Sequence, residues 1–196
     1  MAAMKSNSRK IQAEATRNKI YQASIKLVEQ KGYCSIKIED ICKKAGVSIG
    51  SFYNYYKSKN DILIEIYKRA DIYFENTVKP NVTEKSAVEN MVDYFIYYAK
   101  YNEITGVETL KQLFAPGNKM YTTKGRKMQA VLNEIIIKGQ ESGEIKEDVA
   151  PEEITEFLFI AARGVCYDWC AHDGSYDLQE FTKKYMKLLI EIYAVK

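Results

Sequence analysis

Residues 45–63, AGVSIGSFYNYYKSKNDIL, decide how the chain is read, because they are too polar and too rich in tyrosine for an ordinary buried helix. The preceding IEDICKKA places Ile38, Ile41, Cys42 and Ala45 at helical spacing, which predicts one apolar face over about 38–45. Gly46 then stands where a helix ends in the left-handed conformation, which costs a residue with a side chain more than it costs glycine. Val47 packs into the angle, and Ser48 is a natural N-cap for a second short helix over about 49–55. Phe52 and Tyr56, four apart, give that helix its inner face, so Ser48, Gly50, Ser51, Tyr53, Asn54 and Tyr55 are left on its outer side.

Two short helices about such a turn form a helix-turn-helix, the arrangement in which a second helix enters the DNA major groove while the first crosses the backbone. Hydroxyls and aromatic tips reach phosphates and base edges, and Asn54 offers a paired donor and acceptor. Lys57 and Lys59 flank this helix and Lys37 precedes the first of the pair, placing three ammonium groups where phosphates would lie. A helical hairpin with surface tyrosines is the plainer alternative. Charge separates the two: residues 1–60 carry 12 Lys or Arg against 4 Asp or Glu, whereas residues 61–196 carry 17 against 22. A basic first third suits a polyanionic partner.

Outside this segment, apolar residues recur at spacings of three and four and never alternate for long, which predicts an all-α chain of about nine helices. They fall at about 9–31, 38–45, 49–55, 59–78, 84–101, 103–114, 118–141, 152–172 and 176–194, with breaks at Pro80, Pro116, Pro151, ESGEIKED and HDGSYD. The first carries Ile20, Ala23, Ile25, Leu27 and Val28 on its inner side. The expected division is a domain of residues 1–58 and a larger helical domain of residues 59–196. Apolar runs fall well short of the ~20 residues of a membrane span. MAAMKSNSRK lacks the apolar centre of a signal peptide, so a cytoplasmic location is expected. Cys34, Cys42, Cys166 and Cys170 include no CxxC spacing and read as small apolar residues, with a thiol sensor as the alternative.

The run IYQASIKLVEQKGYCSIKIEDICKKAGVSIGSFYNYYKSKNDIL closely resembles the N-terminal domain of TetR-family transcriptional regulators, over about residues 14–65 without gaps. GQESGEIKEDVAPEEITEFLFIAARG is similar to a weaker C-terminal signature of that family. The resemblance implies a nine-helix homodimer and a pocket in each larger domain whose inducer alters the spacing of the two recognition helices. By position it carries DNA contacts onto Ser48, Gly50, Ser51, Tyr53, Asn54, Tyr55 and Lys59. Ile36 and Lys37 stand where the family often has Thr or Ser, Asn54 where it has histidine and Lys57 where it has proline, differences that bear on which DNA sequence is read.

In the larger domain, Ile154, Leu158, Ala161 and Val165 form one stripe, and Phe159, Ala162, Cys166 and Cys170 another; the last helix adds Phe181, Tyr185, Leu188, Leu189 and Ile192. Helices apolar on two sides have two partners, which predicts a homodimer through the last two helices. A ligand cavity is expected among Tyr94, Tyr98, Tyr101, Phe114, Tyr121, Phe159, Cys166, Tyr167 and Trp169, although a chain with 16 tyrosines also places them in cores and on surfaces. Arg163, inside an apolar helix, requires a partner, either Glu108 or a ligand carboxylate. His172 reads as a helix-end residue without a nucleophile beside it, and neither a phosphate-cradling glycine loop nor a metal-ligand cluster is present, so no catalysis, cofactor or metal is expected. The expectation is a ligand-responsive regulator, most simply a repressor, that binds a pseudo-palindromic double-stranded operator as a dimer and is released by a small-molecule inducer. A protein-binding adaptor and a DNA binder without an inducer are the competing readings.

Overall fold

Helix follows the three-and-four spacing closely in the computed structural model, which describes residues 2–115, 118, 120, 123 and 125–195, with side chains from Ser8 onward. Nine α-helices occur among the described residues: α1 Ala2–Lys31, α2 Ile38–Ala45, α3 Ile49–Tyr53, α4 Asn60–Tyr73, α5 Ala87–Thr105, α6 Val107–Leu113, α7 Lys127–Glu141, α8 Pro151–Ala171 and α9 Leu178–Ile190. The only extended pairing among them is an isolated bridge, Ile145 with Ala194. The chain is all-α. Its contacts divide it into two compact units, residues 1–65 and 66–196, and the division falls within α4.

In the first unit α2 packs on α1 and on α3. Ile20, Leu27, Val28, Ile36, Ile41, Phe52 and Tyr56 are buried there. Gly46 ends α2 at φ 67°, and the Val47 N–H donates to the Cys42 carbonyl at 3.0 Å. Asp40 closes the other end, its carboxylate accepting from the Lys37 N–H at 2.9 Å. Arg17 of α1 pairs with the buried Glu65 at 2.5 Å, and its guanidinium lies 5.7 Å from the centre of the Tyr56 ring.

In the second unit α5 is the spine: it makes its broadest contact with α9 and also touches α6, α7 and α8. Its start is set by Ser86, whose hydroxyl accepts from the Glu89 N–H while the Glu89 carboxylate accepts from the Ser86 N–H, each at 3.3 Å. Several boundaries differ from those the sequence predicts, among them the start of α1 at Ala2 and the end of α9 at Ile190, and three differences have a visible local cause. Helix α4 gives way after Tyr73 to a π turn at Phe74–Val78 and a 3-10 turn at Lys79–Asn81, where Pro80 removes an N–H. Helix α5 runs on to Thr105, because the buried Asn102 and Thr105 side chains donate to carbonyls of the preceding turn and the break falls at Gly106, φ 93°. Helix α7 starts at Lys127, after Gly125 at φ 73°, and not at 118. The expected break at Pro116 lies outside the described residues.

Gly139 lets α7 approach α5. A Cβ built there would lie 2.6 Å from the Cβ of Ala87 and 2.6 Å from Cγ1 of Ile145. Glycine in a helix interior costs about 1 kcal/mol relative to alanine, so a gain is the naive expectation for Gly139→Ala. The contact reverses it: urea denaturation should show Gly139→Ala destabilised by about 1–3 kcal/mol through overpacking.

Candidate nucleic-acid interface and cavity

Helix α3 is held by its caps and by two aromatic rings. The Ser48 hydroxyl accepts from the Ser51 N–H at 3.1 Å, and the Phe52 ring, fully buried, lies 5.8 Å from the ring of Tyr56. With that face pinned inward, Ser48, Gly50, Tyr53 and Asn54 are exposed, and Ser51 and Tyr55 are half-buried beside them. Tyr53 touches Phe52 only edge-on and is 53% exposed. Ile49 shares the exposed surface, an apolar group of the kind that meets a thymine methyl. Sequence reasoning passed it over, since an isoleucine reads as core until the phase of α3 is known.

The lysines divide into two kinds. Lys37 and Lys57 are exposed, as are Lys43 and Lys44 on α2. Lys59 instead turns toward the protein: its ammonium donates to the carbonyls of Tyr33 at 3.0 Å and Ile36 at 2.6 Å and sits 4.7 Å from the Tyr33 ring centre. Two of its three donors therefore tie the start of α4 to the loop after α1. Asp61 completes this corner by accepting from the Lys57 N–H at 2.7 Å.

The second unit contains an inner cavity of about 40 Å³ among Ile66, Tyr67, Ala70, Tyr98, Tyr101, Asn102, Leu113, Arg126, Met128, Gln129, Phe159 and Arg163. It shares Arg126, Gln129, Phe159 and Arg163 with a wider opening of about 550 Å³, rimmed by Thr123, Gly125, Ala130, Asn133, Glu152, Thr155 and Glu156. Of the residues expected at a ligand site, Tyr98, Tyr101, Phe159 and Arg163 line these spaces. Tyr94 lies in the core, donating to the Met128 carbonyl at 2.7 Å. Cys166 is buried without lining either space. Phe114 and Tyr167 meet edge-on at 6.0 Å, with Tyr167 61% exposed. Glu108 pairs with Lys111, which also pairs with Asp173. Tyr121 lies outside the described residues.

Burial raises the Tyr94 and Tyr98 phenols well above their usual range, so both stay neutral and the fixed charges of the inner cavity are its two guanidiniums. Arg126 escaped sequence reasoning because a helix from 118 would have set it on an outer face. It stands at the N-cap of α7, where its guanidinium donates to the Tyr67 carbonyl at 3.1 Å and pairs with Asp71 at 3.3 Å.

Helices α8 and α9 each keep an uncovered apolar stripe. Ile154, Leu158, Val165, Phe159, Ala162, Cys166 and Cys170 are all buried within the unit, so both stripes read from the sequence of α8 are largely occupied. The exposed stripe is a third one, Phe157, Ile160 and Tyr167, with Gly164 open between them; on α9 it is Phe181, Tyr185 and Leu188, continued by Ile192 just past the helix.

A short capped helix that presents hydroxyls, an amide and an isoleucine beside exposed lysines is the helix-turn-helix arrangement of a DNA-binding transcriptional regulator. The family model for bacterial regulatory proteins of the tetR family matches residues 20–66, and that for the tetracyclin repressor-like C-terminal domain matches residues 85–193. The chain belongs to the TetR family. It is 25% identical over 178 residues to a fatty acid metabolism regulator protein of Bacillus subtilis, covering 87% of this chain and 92% of that one. It is 26% identical over 177 residues to the transcriptional repressor NicS of Pseudomonas putida, covering 85% and 81%. Among solved structures, the transcriptional regulator FadR from Bacillus subtilis in complex with stearoyl-CoA shares the fold at a TM-score of 0.69, with 23% identity over 88% of this chain and 96% of that one.

The corner at Lys59 has a measurable weight. Lys59→Met leaves two carbonyls without their donor and should cost about 1–3 kcal/mol in chemical denaturation, whereas Tyr53→Ala, at an exposed ring, should stay within about 0.5 kcal/mol of the parent.

Proposed function

We propose that the protein is a homodimeric repressor that reads a pseudo-palindromic operator through α3 and leaves it when a small molecule occupies the cavity of the second unit. The observation that carries this reading is the sidedness of α3, with Phe52 and Tyr56 buried and Ser48, Gly50, Tyr53 and Asn54 exposed. Ser51, Tyr55 and Ile49 complete the surface offered to the groove, and Lys37, Lys57 and the remaining donor of Lys59 are assigned to phosphates. Residues 1–58 would then read DNA, and residues 59–196 would bind the ligand and form the dimer. The family's membership of regulators and the repressor name of one relative support the direction of control. A cytoplasmic location suits the work, and among the described residues no helix is long and apolar enough to cross a membrane.

The dimer is assigned to the uncovered stripes of α8 and α9, with Gly164 allowing close approach of two helices. Two copies present two copies of α3, each suited to one half-site. For the ligand, Tyr98, Tyr101, Phe159 and Arg163 are assigned to direct contact, joined by Arg126 and Met128. The acyl-CoA bound to the Bacillus subtilis FadR supports a ligand with an apolar part.

Two measurements test this reading. Affinity for a duplex selected by the protein from a random library should fall by about 10³–10⁵ between 50 and 200 mM salt, and Tyr53→Ala should weaken it about tenfold or more, within the ~1–3 kcal/mol of a groove contact; binding indifferent to both would leave a protein-docking hairpin. Leu188→Glu should convert the dimer to monomers in sedimentation, and a dimer that survives would place the interface elsewhere.

A further inference from the structure

Of the four side chains common to the inner cavity and the wider opening, Arg126 also grips α4. Its guanidinium pairs with Asp71 at 3.3 Å, its Nε donates to the same carboxylate at 3.4 Å, and it donates to the Tyr67 carbonyl at 3.1 Å while lying 4.8 Å from the Tyr67 ring centre. Asp71 in turn accepts from the Met128 N–H at 3.2 Å, so one carboxylate of α4 holds the first turn of α7. The side chains of this pair are 11% and 23% exposed, and both Arg–Asp distances exceed the ~2.7–2.9 Å of a well-formed charge-assisted bond. The pair is therefore shielded enough to matter and loose enough for another anion to take the guanidinium.

We propose that Arg126 is the sensing residue of the cavity: the ligand is an organic anion with an apolar end, and its anionic group draws Arg126 away from Asp71, releasing the grip on α4. The lining of the inner cavity has the chemistry for such a molecule, since Leu113, Met128 and Phe159 supply apolar wall and no carboxylate lines it among the described residues, and the adjoining opening of about 550 Å³ supplies the room. The wider opening carries Glu152 and Glu156 as well as Arg126 and Arg163, so the two guanidiniums are the groups that can take an anion there. Because α4 contributes its first turns to one compact unit and its last turns to the other, freeing Asp71 alters a helix common to both. The latched form is the one that binds DNA. This inference rests on the ligand-responsive repressor reading and adds to it the chemical class of the ligand and the bond the ligand breaks.

The test uses the full chain, a duplex it selects from a random library, and hexanoate and decanoate set against hexanol and decanol. At least one carboxylate should raise the melting temperature of the parent protein and weaken duplex binding about 5- to 150-fold, and the matched alcohol should do neither. Asp71→Asn should weaken duplex binding without any ligand while still binding the carboxylate, and Arg126→Gln should abolish the carboxylate response. Arg126→Lys, which keeps the charge but not the two-pronged grip, should also weaken duplex binding and replaces Asp71→Asn should the latter not fold. Alcohols acting as well as carboxylates, carboxylates without effect, or latch variants with parental duplex affinity would overturn the proposal while the regulator reading stands. Failure of the parent protein to select any duplex would instead remove the regulator reading and the latch with it.

Discussion

Insertion of the Phe52 and Tyr56 rings into the core of the first unit is the constraint on which the exposed face of α3 depends. Helix α3 is only five residues long, far below the length at which a helix holds itself in water. Its orientation therefore comes from what it buries and from its ends. Phe52 and Tyr56 set its rotation, Ser48 closes its first turn, and Gly46 at positive φ gives the angle at which the chain leaves α2. Rotating α3 by one residue would bury Tyr53 and turn Phe52 outward. The corner after α3 is equally constrained, by Lys59 against two carbonyls and Asp61 against the Lys57 N–H. The basic side chains of this region thus serve two ends, with exposed lysines available to a partner and one lysine keeping the framework in shape.

The second unit is organised around α5, whose ends are set by Ser86 and Gly106 and whose middle carries Tyr94, Phe95 and Tyr98 into an aromatic cluster with Phe74 and Phe159. Burial keeps the phenols of that cluster neutral, so it behaves as apolar wall, with the Tyr94 hydroxyl committed to the Met128 carbonyl. Among the described residues that line the inner cavity, the charged side chains are Arg126 and Arg163. A guanidinium beside an apolar wall discriminates between ligands more sharply than the wall does, because a buried charge left without its partner costs more than a poorly filled contact. The uncovered stripes of α8 and α9 follow from the same packing: once one side of each helix is committed to α5 and α7, the remaining apolar residues face outward and wait for a second surface.

Much of this was legible in the amino-acid order. Period-three-and-four spacing carries the all-α class, Gly46 followed by Ser48 carries the turn of the helical pair, and the four-residue interval of Phe52 and Tyr56 carries the inner side of α3. These are local properties: a cap, a left-handed glycine and a helical face each involve residues within a few positions of one another. Among the boundaries the sequence misplaced, some depend on burial and some on distant partners. Asn102, placed between two predicted helices, and Thr105, placed in the second of them, bond back within α5 while buried among neighbours, and the start of α7 is governed by Gly125 and by Asp71, some fifty residues earlier.

The sequence by itself determined which elements exist, which way α3 faces, and that the basic third of the chain stands apart from the rest. Tertiary structure alone decided that Lys59 turns inward, that Tyr94 is core while Tyr98 lines a cavity, that Arg126 joins Arg163 there, and that the uncovered stripe of α8 runs through Phe157, Ile160 and Tyr167. The physical reason is the range of the interactions. Capping and helical periodicity act over a single turn, whereas the burial of a phenol, the pairing of a guanidinium or the covering of a third helical face depends on segments brought together only when the whole core closes.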